Sequence, residues 1–318
     1  MSTHWRPSAS IDALKARSRI ITQLRSFFNQ RKILEVDTPL MCAAGTTDVY
    51  LDSMVITSSK NSDDDIRYLQ TSPEFCMKRL LTAGIGDCYQ ICKAFRRDEI
   101  GKYHNPEFTL LEWYRINCDH HQLMDEMDAL LQYILKSQPA KRISYRDLFL
   151  EYLGIDPHKL SIKQLIKVDP DVCKALNPLT DTKDDYLMLL LSQHIEPTLG
   201  LDRPCFIYDY PASQAALSKI RDKKYAERFE VYIHGVELAN GFHELQQANE
   251  QLRRFQEDNK KRKILNKPTV QIDYALINAL EHGLPNCAGV ALGVDRLIMI
   301  ALEKEKLSDV LSFSADNC

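Results

Sequence analysis

No run of about 18 apolar residues occurs anywhere in the chain, and residues 1–10, M-S-T-H-W-R-P-S-A-S, contain neither a basic n-region nor an apolar h-region. These absences speak against a membrane-spanning helix and a secretion leader, so no membrane partner is expected and the expected compartment is the cytoplasm. A positive field is missing too. Lys and Arg number 41 against 44 Asp and Glu, a formal net charge of -3, so overall counterion release will not draw this chain to nucleic acid. Zinc-knuckle and redox spacings are also lacking: the nine cysteines are scattered, and Cys88 and Cys92 have three residues between them where such motifs usually have two. They read as reduced, mostly buried thiols. Neither Gly84-Ile85-Gly86 nor Gly289-x-x-x-Gly293 fits a phosphate loop or a dinucleotide fingerprint. What is present is a chain of 318 residues, 44% hydrophobic, long enough to bury a large core.

The most informative stretch is residues 94–115, A-F-R-R-D-E-I-G-K-Y-H-N-P-E-F-T-L-L-E-W-Y-R. Residues 89–96 alternate apolar and polar side chains, and residues 107–115 are rich in aromatic and β-prone types, which predicts an antiparallel hairpin bent at Gly101 and Asn105-Pro106. Strand alternation puts Arg96 and Asp98 on one face, and Phe108, Glu112 and Tyr114 share a face on the returning strand. A guanidinium, carboxylates and rings on one surface can hold a polyanion, a flat base and an ammonium group. Charged strand faces are ordinarily just solvated, so this chemistry needs support from elsewhere in the chain.

Ser10 or Asp12 can cap a helix running to about Arg31, with Leu14, Arg17, Ile20, Leu24 and Phe27 recurring at helical steps. A strand over residues 33–38 follows, stopped by Pro39 at an edge or an interface; this helix and strand together are a plausible dimer element. Residues 41–66 read as turns and short strands ending in the acidic tip Asp63-Asp64-Asp65. Residues 68–71 read as a strand, and Ser72-Pro73-Glu74 opens a helix to about Ala83, where Glu74 is either a first-turn glutamate or a ligand. Residues 123–135 are helical by pattern. Residues 140–200 are short helices punctuated by Asp-Pro and Asn-Pro pairs, with His120, His121 and His158 as surface or capping histidines. Residues 205–210 form a strand, and residues 246–267 a charged, solvated helix.

A second stretch, residues 227–245, reads E-R-F-E-V-Y-I-H-G-V-E-L-A-N-G-F-H-E-L. With His234-Gly235 as a two-residue turn, Glu230 pairs with Ala239 and Glu237 with Tyr232, leaving the two glutamates diagonal on one face and ~7–8 Å apart. They are either exposed strand glutamates or a pair needing a cation such as Mg²⁺ between them. Asn240 and Glu244 follow. Residues 289–300, G-V-A-L-G-V-D-R-L-I-M-I, read as a strand passing into a helix.

Taken together these stretches resemble the three motifs of the class II aminoacyl-tRNA synthetases, lysyl branch, across nearly the whole chain. The helix and strand ending at Pro39 look like motif 1, F-R-R-D-E through H-N-P-E-F-T-L-L-E-W-Y like motif 2, and G-V-A-L-G-V-D-R like motif 3. The resemblance implies an α+β fold, a single catalytic domain over 1–318 built on an antiparallel sheet flanked by helices, with a helical insertion at about 140–200. It implies ATP and Mg²⁺ as cofactors. The roles it implies are Arg96 on the α-phosphate, Phe108 beneath adenine, Asn105 in the loop at the adenine edge, Arg296 on the γ-phosphate, and Glu230 and Glu237 on the metal. Arg97, Asp98, Leu238 and Gly293 complete the ATP set. Ser72, Pro73, Glu74, Glu112, Tyr114, Asn240, Glu244 and Ala291 make the lysyl pocket, with Glu244 and Tyr114 facing the ε-ammonium.

Three departures refine this expectation. Only about ten residues precede the motif 1 helix, too few for the five-stranded anticodon-binding barrel of ordinary lysyl-tRNA synthetases. In this the chain is similar to the shortened paralogs that attach (R)-β-lysine to a lysine side chain of translation elongation factor P. Ala291 stands where the full-length enzymes have glycine, and one extra methyl discriminates by about 1–3 kcal/mol. Asp98 stands where motif 2 usually has glutamate; Glu99 follows and could be brought round by a bulge. The implied activity is formation of an aminoacyl-adenylate from (R)-β-lysine or lysine, then transfer to elongation factor P, by a homodimer without strong tRNA binding. The alternatives are a minimal tRNA-charging enzyme and a non-catalytic paralog.

Overall fold

The computed structural model describes residues 5–57, 66–178 and 180–318; the acidic triplet Asp63-Asp64-Asp65 lies outside them. The chain divides into two compact units, Met1–Cys118 with Leu245–Cys318, and Asp119–Glu244.

The first unit begins with α1 (Ile11–Gln30), capped by Ser10, whose hydroxyl accepts from the Ala13 amide at 3.2 Å. Its helical stripe buries Ile20, Leu24, Phe27 and Phe28. Phe28 stacks on Tyr89 at 4.5 Å between centroids and meets Trp113 edge-on at 5.3 Å, an arrangement worth about 0.5–1.5 kcal/mol per pair beyond area burial. The strand expected over residues 33–38 is only β1 (Leu34–Glu35), because backbone pairing to β5 stops soon after Glu35. Next come β2 (Met41–Cys42), β3 (Val55–Ile56) and β4 (Arg67–Leu69), a small sheet ordered β2-β4-β3. Helix α2 (Glu74–Thr82) starts after Pro73, and no side chain caps it. The hairpin of β5 (Cys88–Phe95) and β6 (Glu107–Ile116) runs in unbroken register from Cys88 opposite Tyr114 to Phe95 opposite Glu107.

The second unit opens with α3 (His120–Leu135), fixed by a capping box between Asp119 and Gln122. It continues through β7 (Lys141–Ser144), α4 (Tyr145–Leu153), α5 (Ile162–Ile166), α6 (Pro170–Cys173) and α7 (Lys183–Leu190). The Asp169-Pro170 pair read as a breaker is the start of α6: the Asp169 carboxylate caps it and proline takes the first helical position. Strands β8 (Cys205–Pro211), β9 (Ile220–Arg221), β10 (Tyr225–Ile233) and β11 (Val236–His243) complete the unit, with β7 parallel to β8, β8 antiparallel to β10, and β10 antiparallel to β11. The short helices pack Tyr145, Phe149, Tyr186 and Leu190 into a core shared with Ile207 and Tyr210.

The chain then returns to the first unit with α8 (Ala248–Ile264), α9 (Tyr274–Gly283), β12 (Cys287–Gly293) and α10 (Val294–Ala301). Strand β12 pairs antiparallel with β6. Helix α8 is charged, as expected, but one face of it is not solvated. Phe255 packs against Phe75, and Arg262, 3% exposed, donates to the Asp48 and Leu51 carbonyls and the Asp52 carboxylate.

Candidate active site

In the first unit, the even-numbered residues of β6 share a face, and the register places Ala94 opposite Phe108 and Gln90 opposite Glu112. Arg96 is one strand step beyond Ala94 on that same face. Its guanidinium carbon stands 5.0 Å from the Phe108 ring centroid, its Nη1 is 3.5 Å from Glu99, and its Nε is buried with no acceptor among the described residues. A cation over a ring with a buried N–H unspent fits a phosphate oxygen next to a stacked base.

Strand β5 ends at Phe95, and this corrects the expectation that Asp98 shares the face of Arg96. Asp98 lies in a left-handed turn at φ 62°, with its carboxylate 85% exposed and 3.4 Å from Arg97. The turn brings round Glu99, which takes the contact to Arg96. Arg97 itself is exposed, its backbone amide bonded to the Asp52 carbonyl. Asn105 is held at both ends of its amide, Nδ2 donating to the Glu107 carbonyl at 2.6 Å and Oδ1 accepting from the Ala315 amide at 2.9 Å. Arg296, in the first turn of α10, donates from Nε to the Tyr103 carbonyl at 3.1 Å, and its Nη2 is 2.8 Å from His104 Nε2. Lost solvation, and then the Arg296 charge, hold the His104 imidazole below its usual pKa, so the ring accepts from Arg296 as a neutral base. Gly293 is the residue at the N-terminus of α10.

Glu112 is 2% exposed, and its Oε1 accepts from the Tyr114 hydroxyl at 2.7 Å. A hydroxyl whose proton goes to a carboxylate keeps its lone pairs for a donor. Ala291 sits directly opposite Glu112 in the β6–β12 ladder, so its methyl shares that face. Glu74 serves neither as a cap nor as an isolated charge: its Oε1 is 2.6 Å from the Nζ of Lys78, which is 2% exposed. Ser72 Oγ accepts from the Glu74 amide at 3.4 Å, and Pro73 is buried between them in sequence.

Two residues that hold this set in place were missed in the sequence. Asp295, 2% exposed, accepts from the Thr109 amide at 2.7 Å and pairs with Arg17 at 2.6 Å, while Arg17 also donates to the Thr109 hydroxyl at 2.9 Å. Arg17 looked like one position of an apolar stripe. The signal for Asp295 was its place beside Arg296.

In the second unit His234 and Gly235 both have positive φ, 51° and 71°, the geometry of a type I′ hairpin turn. Tyr232 faces Glu237 as expected, but Val231 faces Ala239 and Glu230 faces Asn240, one residue away from the expected Glu230–Ala239 pairing. The cause is a bulge at Leu238, an extra residue on β11 that shifts everything beyond it. Leu238 itself is buried at 2% exposure. Glu230 is also not the unpartnered acid expected: Tyr210 donates to it at 2.6 Å, Tyr232 at 2.8 Å, and Arg228 pairs with its other oxygen. Glu237 is half-buried. Asn240 Oδ1 is buried with no donor among the described residues, and Glu244 is 1% exposed. For a magnesium ion, Glu237 offers the right donor chemistry, a half-buried carboxylate. Glu230 does not fit, since both its oxygens are already spent on strong donors. His120, expected at the surface or as a cap, is 2% exposed, and the cap of α3 is Asp119.

Comparison with known proteins gives the family. The family model for class II tRNA synthetases (D, K and N) matches residues 2–317, and the chain belongs to that family. Within it, the chain is 49% identical to a Vibrio parahaemolyticus protein named elongation factor P–(R)-β-lysine ligase, over 98% of each chain. Proteins of the same name from Avibacterium paragallinarum, 49% identical over 100% of both chains, and Vibrio cholerae, 50% identical over 98% of both, are equally similar. No helix among the described residues is long and apolar enough to cross a membrane.

Proposed function

We propose that this chain activates (R)-β-lysine with ATP as an aminoacyl-adenylate and transfers it to a lysine side chain of translation elongation factor P. The observation that carries this is the match along 98% or more of both chains to proteins bearing that name. ATP is consumed as a substrate: the amino acid's carboxylate displaces pyrophosphate from the α-phosphorus, and the acceptor amine then displaces AMP. No side-chain nucleophile is needed, because charge stabilisation and positioning carry such transfers.

Arg96 neutralises charge on the α-phosphate, with Glu99 rather than Asp98 holding its guanidinium, and Phe108 stacks on the base. Arg296 holds the γ-phosphate, oriented by the Tyr103 carbonyl and His104. In the first unit Glu112 and Tyr114 suit an ammonium group; in the second the buried Asn240 Oδ1 supports a donor such as an ammonium N–H, and Glu244 is a buried acid. Each charge-assisted hydrogen bond to a buried acid contributes about 1.5–3 kcal/mol, which selects against neutral analogues. Lys78 holds the Glu74 carboxylate in place near the substrate's other amino group, and Ala291 narrows the space around it. Magnesium, where bound, supplies charge neutralisation for the triphosphate; Glu237 would hold it. Exposed Leu34, Leu40 and Met41 around the edge strand β1 support a homodimer.

ATP–pyrophosphate exchange across lysine, both β-lysine enantiomers, ornithine and arginine tests this assignment. Exchange is expected with (R)-β-lysine above lysine and to be negligible with arginine. Arg96→Ala should lower it roughly 10²–10³-fold, as removal of one preorganised donor does. Near wild-type exchange by that variant, or none by the parent with any of the five, would refute it.

A further inference from the structure

The second unit holds a cluster that no step above uses. His120 at the start of α3, Glu227 on β10 and His243 at the end of β11 each present one ligand atom, and these atoms lie within 4.8 Å of one another. The strands bring two of them together: Arg228 is opposite Phe242 in the ladder, so Glu227 falls beside His243, and Glu227 Oε2 is 2.6 Å from His243 Nδ1. His120 completes the set from the helix, its ring 6.4 Å from the His243 ring and nearly parallel to it.

His120 is the anomaly that asks for a ligand. It is 2% exposed, and neither ring nitrogen has a hydrogen-bond partner among the described residues; the nearest charge is Asp209 Oδ1, 3.7 Å from Nε2. At 3.7 Å that carboxylate is beyond hydrogen-bond reach, and a metal ion that takes the imidazole lone pair supplies the partner a buried polar group needs. The surrounding charges are balanced by two cations. Arg221 pairs with Asp209 at 2.6 Å and approaches Glu227 at 3.7 Å, and Lys219 Nζ lies 3.0 Å from His243 Nε2. Lys219 is half-buried on a flexible four-carbon stem, so a dication can take its place while its ammonium turns to solvent.

We propose that His120, Glu227 and His243 form a binding site for a divalent transition metal of the zinc class, separate from magnesium at Glu237 and independent of the ligase assignment. Two imidazoles and a carboxylate suit zinc, cobalt, nickel or copper rather than magnesium, which demands an oxygen shell. Three protein ligands leave a fourth position open.

The test is a Co²⁺ titration of the chelator-treated, reduced full-length chain, read by visible absorption and then displaced with Zn²⁺. The expected result is one Co²⁺ per chain, ligand-field bands without a thiolate-to-cobalt charge-transfer band, and loss of those bands on adding Zn²⁺. His120→Asn and Glu227→Gln should each weaken affinity by at least about 10–100-fold, since even outer-sphere losses reach that scale. Circular dichroism identifies any variant that fails to fold, in which case the other variant and the wild-type spectrum decide. No cobalt or zinc binding by the wild type, a thiolate charge-transfer band, or unchanged affinity in the folded variants would each overturn the site.

Discussion

Single residues carry both the chemistry and its support. Arg17 and Asp295 show the cost structure of a buried pair: removing one partner strands the other, which typically destabilises by about 3–5 kcal/mol. Arg17→Ala should therefore lower stability on that scale in denaturant titration, far more than substituting the exposed pair Arg253–Glu250, where surface ion pairs contribute about 0–1 kcal/mol. A second residue-scale expectation concerns thiols. Cys76 is held down to about 7 by a hydrogen bond with Cys42, with Arg79 adding to the effect, while the same contact pushes Cys42 up. Thiolate grows as pH rises through that value, so alkylation of Cys76 should reach half-maximal rate near pH 7. Cys42→Ala, which removes the donor, should move that midpoint up toward the ordinary thiol value of about 8.5; an unchanged midpoint would assign the effect to Arg79 alone. The residues that touch ligand were legible in the sequence because their types are chemically rare on a strand face: Arg96 beside Phe108, Glu112 beside Tyr114. Arg17, Lys78 and Arg228 were not, because a basic residue at an ordinary position gives no sign that its partner lies far away in sequence or already claims its charge.

At the scale of elements, alternation over residues 89–96 and the β-prone run over 107–115 located β5 and β6 to within a residue, since both strands are largely buried and register is strongly specified there. The β10–β11 hairpin was legible in its turn and not in its register. A bulge leaves no mark on the hydrophobic pattern when the inserted residue, Leu238, is itself apolar and buried. Charge density likewise hid the buried side of α8, whose Phe255, Asp258 and Arg262 all face inward partners. Burial, and then the charge of Asp48, raise the Asp258 carboxyl to about 6. A carboxyl raised on folding favours the protonated native state, so its contribution is complete at acid pH below the unfolded value and is lost as pH climbs through about 6. Asp258→Asn should accordingly gain melting temperature relative to wild type as pH rises from about 4 to about 6.5, and hold that gain above it. A constant difference across that window would show that Asp258 is not the group titrating.

For the molecule as a whole, length and composition bounded the class, and the ordered appearance of three motifs fixed the family. The many short helices of the second unit were the least legible part. Their cores are assembled from single turns such as α5 and α6, too short for periodicity to distinguish from loops. The central claim is that an activated β-lysyl group leaves this protein for a protein amine. The most direct measurement incubates the purified chain with ATP, isotope-labelled (R)-β-lysine and either translation elongation factor P or bulk tRNA, and follows the label by intact mass and acid precipitation. The expected result is one β-lysyl residue added to a single lysine side chain of elongation factor P and no label on tRNA. Label on tRNA with elongation factor P unmodified would contradict it.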